Sequence, residues 1–122
     1  MITTGFTFLS PTPEYPDTYH LYIIISIVDT KALFVNVTTK RVNSDASCVL
    51  QVGDHDFITR ESVINYGDAR IAEIDKLKDA IEKQIIKPNK PVTDNLLNKI
   101  VKGARNSKAF LLGYLKHISK NP

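Results

Sequence analysis

The residues able to do chemistry collect at the ends of apolar runs. His55 lies between Asp54 and Asp56 in VGDHDFITR, and His20 opens HLYIIISIV. A histidine beside carboxylates can move protons or hold a metal near neutral pH, and the neighbouring charge raises its pKa and fixes its tautomer. The same segment also reads as a polar turn with Gly53 at positive φ, since Gly and Asp are what turns select. Alternation along a strand would point Asp54 and Asp56 away from His55. His117 falls one position off the apolar face of the last helical stretch and reads as structural.

Several chemistries are disfavoured by what the chain lacks. Zinc takes three or four ligands at recognisable spacing, and no CxxC, HExxH or HxH pattern occurs, so no metal is expected. Ser62 has no GxSxG elbow around it. Five scattered glycines form neither a phosphate loop nor a dinucleotide fingerprint, so no cofactor is expected. What remains is a polar set at strand ends: His20, Thr38, Thr39, Lys40, Arg41, His55, Ser62, Tyr66 and Arg70. Histidines with hydroxyls and cations are the equipment for cutting RNA without a metal. One group takes the 2′-hydroxyl proton, another protonates the leaving 5′-oxygen, and a cation stabilises the phosphorane. In that reading His20, His55 and Thr39 are catalytic. Thr38, Lys40, Arg41, Ser62, Tyr66 and Arg70 hold the substrate.

These residues depend on the elements that carry them. Phe6–Leu9 reads as a short strand, and SPTPEYPDTY after it as a proline-punctuated loop. HLYIIISIV (20–28) and ALFVNVTT (32–39) are rich in β-branched and aromatic residues and predict a hairpin about Asp29-Thr30-Lys31. The continuous apolar start of the second predicts burial on both faces. CVLQV (48–52) reads as a third long strand and SVINY (62–66) as another, which ARIAEI (69–74) extends. From Asp75, placed as an N-cap, the period becomes helical through Leu77, Ala80, Ile81 and Ile85. KPNKP (87–91) interrupts. Thr93 caps a helix carrying Leu96, Leu97, Ile100 and Val101 and ending near Gly103. Ser107 caps a last one carrying Phe110, Leu111, Tyr114, Leu115 and Ile118. The expectation is one domain over 1–122, strand-rich from 4 to 74 and helical from 75 to 120. Its class is mainly β with C-terminal helices (α+β), as a small barrel or curled antiparallel sheet.

Bulk properties agree with a globular domain. The chain has 122 residues, 43% hydrophobic and 24% charged, so it buries a core without staples. Cys48 is the only cysteine, which suits a reducing compartment and a buried, inert thiol. MITTGFTFLSPTPEYP has no basic n-region, and Leu21–Val28 is too short to span a bilayer, so a soluble cytoplasmic protein with no membrane partner is expected. Residues 1–69 carry a net charge of −4 and residues 70–122 a net of +7, giving the total of +3. A basic C-terminal half can meet nucleic acid or an acidic partner, although a lysine-rich solvated helical surface looks the same.

The order of these features resembles the MazF/PemK (Kid) family of toxin ribonucleases over most of residues 4–118. GFTFLS resembles the family's opening strand, and HLYIIIS its arginine-proline-led strand. LFVNVTTK resembles the strand whose polar end supplies a hydroxyl to the site. SVINYGDARIAEIDKL resembles the stretch with a Gln-x-Arg, Asp-Lys-like sequence before the terminal helix. The resemblance implies an SH3-like barrel forming a homodimeric, metal-independent endoribonuclease for single-stranded RNA, the toxin of a type II toxin–antitoxin pair with an acidic antitoxin. Thr38 or Thr39 then matches the strand-end hydroxyl and Arg70 the arginine, with Asp68 one place from a catalytic aspartate of some members. His20 stands where the family has its arginine, so the phosphate cation must come from Lys40, Arg41, Arg60 or Arg70, or be absent. GDHDFI is outside the family pattern. A non-catalytic SH3-like module binding a peptide or nucleic acid is the alternative, with Tyr15, Tyr19 and Tyr22 as its aromatic surface.

Overall fold

The computed structural model describes residues 1–12 and 14–119. Pro13, within the expected proline loop, and residues 120–122, which include the expected helical end at 120, lie outside the described residues.

The described strands are β1 (Thr7–Thr12), β2 (Tyr15–Val28), β3 (Lys31–Thr39), β4 (Val49–Leu50), β5 (Ser62–Glu73) and β6 (Lys87–Asn89). They form one curled antiparallel sheet in the order β4-β5-β3-β2-β1-β6. Three helices follow or interleave: α1 (Ile74–Glu82), α2 (Asp94–Asn106) and α3 (Leu112–Ser119). The domain is therefore mainly β with helices toward its C-terminus, an α+β architecture.

Both faces of the sheet are covered, which explains the long apolar runs. On one face Leu21, Ile23, Leu33 and Val35 pack with Leu96, Ile100 and Ala104 of α2 and Ile118 of α3. On the other, Tyr22, Ile24, Ala32 and Phe34 pack with Leu77 of α1 and Phe8 of β1. Residues Ala32–Val37 of β3 are all buried, as a strand enclosed by two layers must be. Rings of Phe8 and Tyr22 stack at 5.2 Å and Phe34 meets both edge-on. Tyr22 is thus core, not the aromatic surface the alternative reading offers. Burial pushes its phenol pKa up.

Several expected boundaries shift for identifiable reasons. The proline segment is not a loop: its two sides are the outer arms of the β1–β2 hairpin, with Pro11 paired to Tyr19. Prolines are tolerated there because β6 pairs only with Thr7–Leu9 and β3 only with Tyr22–Val28, leaving the arms without outer neighbours. His20 consequently lies inside a long strand, not at its start. CVLQV supplies only the two-residue β4, because the Asp54 carboxylate accepts from the Gln51 N–H at 2.8 Å and turns the chain away. KPNKP holds the edge strand β6. Glu73, not Asp75, occupies the N-cap of α1 and makes no side-chain cap bond. Asp75 sits in the first turn, where its charge favours the helix dipole. Thr93 caps α2 as expected, accepting from Leu96 N–H at 3.2 Å. Ser107 ends α2 instead of opening α3. Its hydroxyl donates to Asp45, whose burial opposes ionisation but whose bonds from Ser107 and Ser47 outweigh that and hold the carboxyl below its ordinary value.

Two irregularities set up the site. Phe34 pairs with Arg70 whereas Asn36 pairs with Asn65, so residues 66–69 of β5 bulge out of the ladder. Gly67 and Asp68 are presented by that bulge. The connection from β4 to β5 is the second, and it carries the GDHD turn.

Candidate functional site

His55 answers for the GDHD turn. It is 6% exposed. Its Nε2–H donates to the Lys90 carbonyl, and its Nδ1 accepts from the Phe57 N–H at 3.0 Å. A ring with one nitrogen donating to a carbonyl and the other accepting from an amide is neutral, with its proton on Nε2. The same Lys90 carbonyl accepts from Thr7 Oγ1 at 2.7 Å, so the turn, β1 and the segment before α2 are tied at one point. Gly53 adopts φ +103, the conformation a turn glycine supplies. The flanking acids face elsewhere: Asp54 holds the Gln51 turn and Asp56 lies 3.7 Å from Lys90 Nζ on the surface.

His55 and His20 therefore do not share a rim. His55 anchors the segment behind it, and that segment (Phe57, Ile58, Thr59 and Arg60) forms one wall of a cleft of about 410 Å³. The opposite walls are Tyr15, Thr18, Tyr19 and His20 of β2 and Val37, Thr38 and Thr39 of β3, with Arg41 and Ser62 completing the lining. His55→Ala is expected to lower unfolding free energy by about 1–3 kcal/mol, because it removes a buried ring together with its bonds to the Phe57 N–H and the Lys90 carbonyl. Denaturant titration measures this, and a change within about 0.5 kcal/mol, the range of ordinary surface substitutions, would contradict the anchoring role.

Among the sequence-predicted residues the structure brings together His20, Thr38, Thr39, Arg41 and Ser62. Besides His55, three others fall outside this cleft. Tyr66 is 1% exposed, its hydroxyl donates to the Ile100 carbonyl at 2.7 Å, and its ring meets Phe110 edge-on. Burial drives its phenol pKa far upward. It holds α2 to the sheet and cannot reach a substrate. Lys40 pairs with Glu61 at 3.7 Å on the surface. Arg70 binds Asp68 at 3.0 Å, which raises the guanidinium pKa further.

Arg41, Arg60 and the half- or fully exposed rings of Tyr15, Tyr19 and Phe57 make this cleft basic and aromatic. Among the described residues no carboxylate lines it. Lys87 Nζ extends the positive field beyond it, 5.1 Å from the centre of the Tyr19 ring. The hydroxyl of Ser62 is already spent on the Arg60 carbonyl at 2.8 Å, and so fixes that arginine's backbone.

His20 stands at the junction with a second cleft of about 360 Å³, lined by Thr12, Glu14, Tyr15, His20, Asn36, Thr38, Asn65, Gly67 and Asp68. Its Nδ1 lies 3.4 Å from the Val37 carbonyl. Donation there leaves the Nε2 lone pair as the working atom, and Nε2 is buried with no hydrogen-bond partner among the described residues. The Tyr15 ring centre lies 6.4 Å from the imidazole. Among the described residues no three His, Cys, Asp or Glu side chains converge to hold a metal ion.

Phe57, Thr59 and Thr18 were absent from the sequence-derived set, as were Asn36 and Asn65. Asn36 had a visible signal: it is the one strongly polar residue inside the buried run ALFVNV. The others are ordinary loop and strand residues that only the fold brings together. No helix among the described residues is long and apolar enough to cross a membrane. No family model matches the chain, and no curated protein does either.

Proposed function

We propose that the basic cleft binds single-stranded RNA and that His20 transfers a proton during metal-independent cleavage of the strand. The observation that carries this reading is a cleft uniting two arginines, three accessible aromatic rings, hydroxyls and one histidine with no carboxylate on its walls. Cationic grooves track a phosphate backbone, and aromatic faces stack on unpaired bases at about 1–3 kcal/mol per base. The His20 Nε2 accepts the 2′-hydroxyl proton once a side-chain movement opens this buried atom to the strand. The 2′-oxygen then bonds to phosphorus, the bond to the 5′-oxygen breaks, and that oxygen takes a proton from solvent. Arg41 and Arg60 balance the charge that grows on the phosphorane, and Thr38 and Thr39 donate to its oxygens.

The wider proposal is the toxin of a toxin–antitoxin pair, MazF/PemK-like and SH3-like, acting as a cytoplasmic homodimer. Its support is the resemblance of segment order, above all SVINYGDARIAEIDKL, and the position of His20 beside Thr38 and Thr39. An extended acidic antitoxin segment would complement the cleft's charge. The second reading is a module that binds a peptide or nucleic acid without cutting it. One observation favours it: His55 is committed to the backbone, so His20 is the sole histidine on the cleft.

Fluorescence anisotropy with a labelled single-stranded RNA tests the binding step. The expected result is binding that weakens steeply with salt and whose salt slope falls by about one in Arg60→Ala, the loss of one phosphate contact. Absence of binding at low salt, or binding unaffected by that substitution, overturns the assignment of this cleft.

A further inference from the structure

The cleft on the far side of His20 differs in kind from the one just assigned. Its lining contains Glu14 and Asp68 and neither lysine nor arginine. Asn36, 2% exposed, donates from Nδ2 to Asp68 Oδ2 at 3.1 Å, but its Oδ1 is buried with no hydrogen-bond partner among the described residues. A buried amide oxygen left unpaired costs free energy, and the natural remedy is a donor supplied from the cleft. Asp68 is pinned by Asn36 on one oxygen and by Arg70 on the other at 3.0 Å, while a carboxylate has about four acceptor sites in all. Each oxygen thus keeps a lone pair for a ligand. The Asp68 carboxylate is held in place from two sides, and beside the unpaired Asn36 Oδ1 it gives this part of the cleft free acceptors and a negative charge.

We infer that this acidic cleft is a base subsite selecting guanine in the RNA strand that the neighbouring cleft holds. The inference rests on the RNA reading of that neighbour and deepens it. Guanine presents N1–H and N2–H₂ side by side on its Watson–Crick edge, a two-donor pattern that a carboxylate accepts as a fork. Adenine and cytosine each place a ring acceptor beside their amino group, which would face the Asp68 charge. Uracil has a single N–H flanked by two carbonyls. The outer N2 proton supplies the donor that Asn36 Oδ1 lacks, the guanine O6 is left to the amide and hydroxyl donors of the lining, the exposed Asn65 among them, and Glu14 adds negative charge at the rim. Asp68 stands on the bulge of β5 that breaks pairing between Phe34–Arg70 and Asn36–Asn65, so the same irregularity that opens the ladder creates the reader. His20 and Thr38 line both clefts, which places a read base beside the group that takes the 2′-hydroxyl proton.

The test uses the full chain and 2′-O-methyl octanucleotides, which cannot undergo 2′-hydroxyl attack, so binding is read apart from cleavage. An oligouridylate and the same strand with one central guanine are compared by anisotropy. The expected result is at least about tenfold tighter binding of the guanine strand, within the range of one bidentate base contact. In Asp68→Asn the ratio of the two affinities falls toward one, and Glu14→Gln, a change at an exposed residue, reduces it partially. Equal affinities for the two strands, a preference for adenine, or an undiminished ratio in Asp68→Asn each overturn the inference while leaving RNA binding in place. Loss of binding to every strand overturns it together with the RNA reading. Guanine preference with unmodified RNA left uncut upholds the subsite and removes the nuclease.

Discussion

His20→Ala is expected to lower RNA cleavage by about 10²–10⁴-fold, the range for removing one positioned proton-transfer group. The warrant is position: His20 is shared by both clefts, with Nδ1 turned to the Val37 carbonyl and Nε2 unspent. Its backbone belongs to a strand paired on the β1 side with Ser10, so removing the ring leaves the strand's hydrogen bonds in place. The loss should therefore appear in turnover with the unfolding midpoint little changed. His20→Gln serves as the companion variant, since it keeps a polar side chain of similar reach but cannot take up a proton at neutral pH. Cleavage by His20→Gln within threefold of the wild type would contradict proton transfer by this residue. His55→Ala reports the opposite pattern, a stability loss from an anchor.

Gly103→Ala is expected to destabilise the fold by about 2–4 kcal/mol, a large part of the 5–15 kcal/mol that holds a typical domain. Gly103 is buried in α2 where the helix passes over β5 and the chain before β4. A methyl group there would overlap the Tyr66 hydroxyl and lie 2.9 Å from both Cys48 Cβ and the Ser47 carbonyl oxygen. Alanine is the better helix former by about 1 kcal/mol, but the clash displaces the Tyr66 hydroxyl from the Ile100 carbonyl and forces α2 off the sheet. Close approach, not backbone conformation, makes glycine necessary. Two companions sharpen the measurement. Tyr66→Phe combined with Gly103→Ala should recover part of the loss, since it removes the atom that collides, giving a coupling energy in a double-mutant cycle. Gly113→Ala, in α3 with nothing within 4 Å of the added carbon, should be neutral or mildly stabilising. Equal denaturation midpoints for Gly103→Ala and Gly113→Ala would contradict this packing account.

The parts of the fold legible in the sequence are those governed by periodicity and local chemistry. HLYIIISIV and ALFVNVTT announced two strands and their hairpin because β-branched runs of that length have few alternatives. Thr93 announced a helix start through its hydroxyl. The apolar start of β3 announced burial on both faces, which α1 and α2 supply from opposite sides. What was hidden depended on partners distant in the chain. Proline residues in SPTPEYPDTY argue for a loop unless the outer edges of both arms are free, and only the sheet order shows that they are. CVLQV has strand composition, yet an Asp54 side-chain bond ends β4 after two residues.

The site divides along the same line. Thr38, Thr39 and Ser62 converge because strand ends on neighbouring strands fall at one end of a sheet, Arg41 follows the end of β3, and His20 joins them where β2 runs on past its pairing with β3. His55 and Tyr66 carry polar groups that a sequence reads as chemistry, whereas their hydrogen bonds to Lys90 and Ile100 carbonyls assign them to architecture. Arg60, considered only as a phosphate cation, reaches the cleft through the segment that His55 holds. The polar turn at GDHD thus serves the cleft indirectly, by fixing its wall.

The most direct test is incubation of the purified protein with a long single-stranded RNA in EDTA, with chemical mapping of every new end. The account predicts discrete cuts leaving 5′-hydroxyl and 2′,3′-cyclic phosphate ends, lost in His20→Ala and retained per folded molecule in His55→Ala. Intact RNA across several sequences, or cuts that survive in His20→Ala, would contradict it.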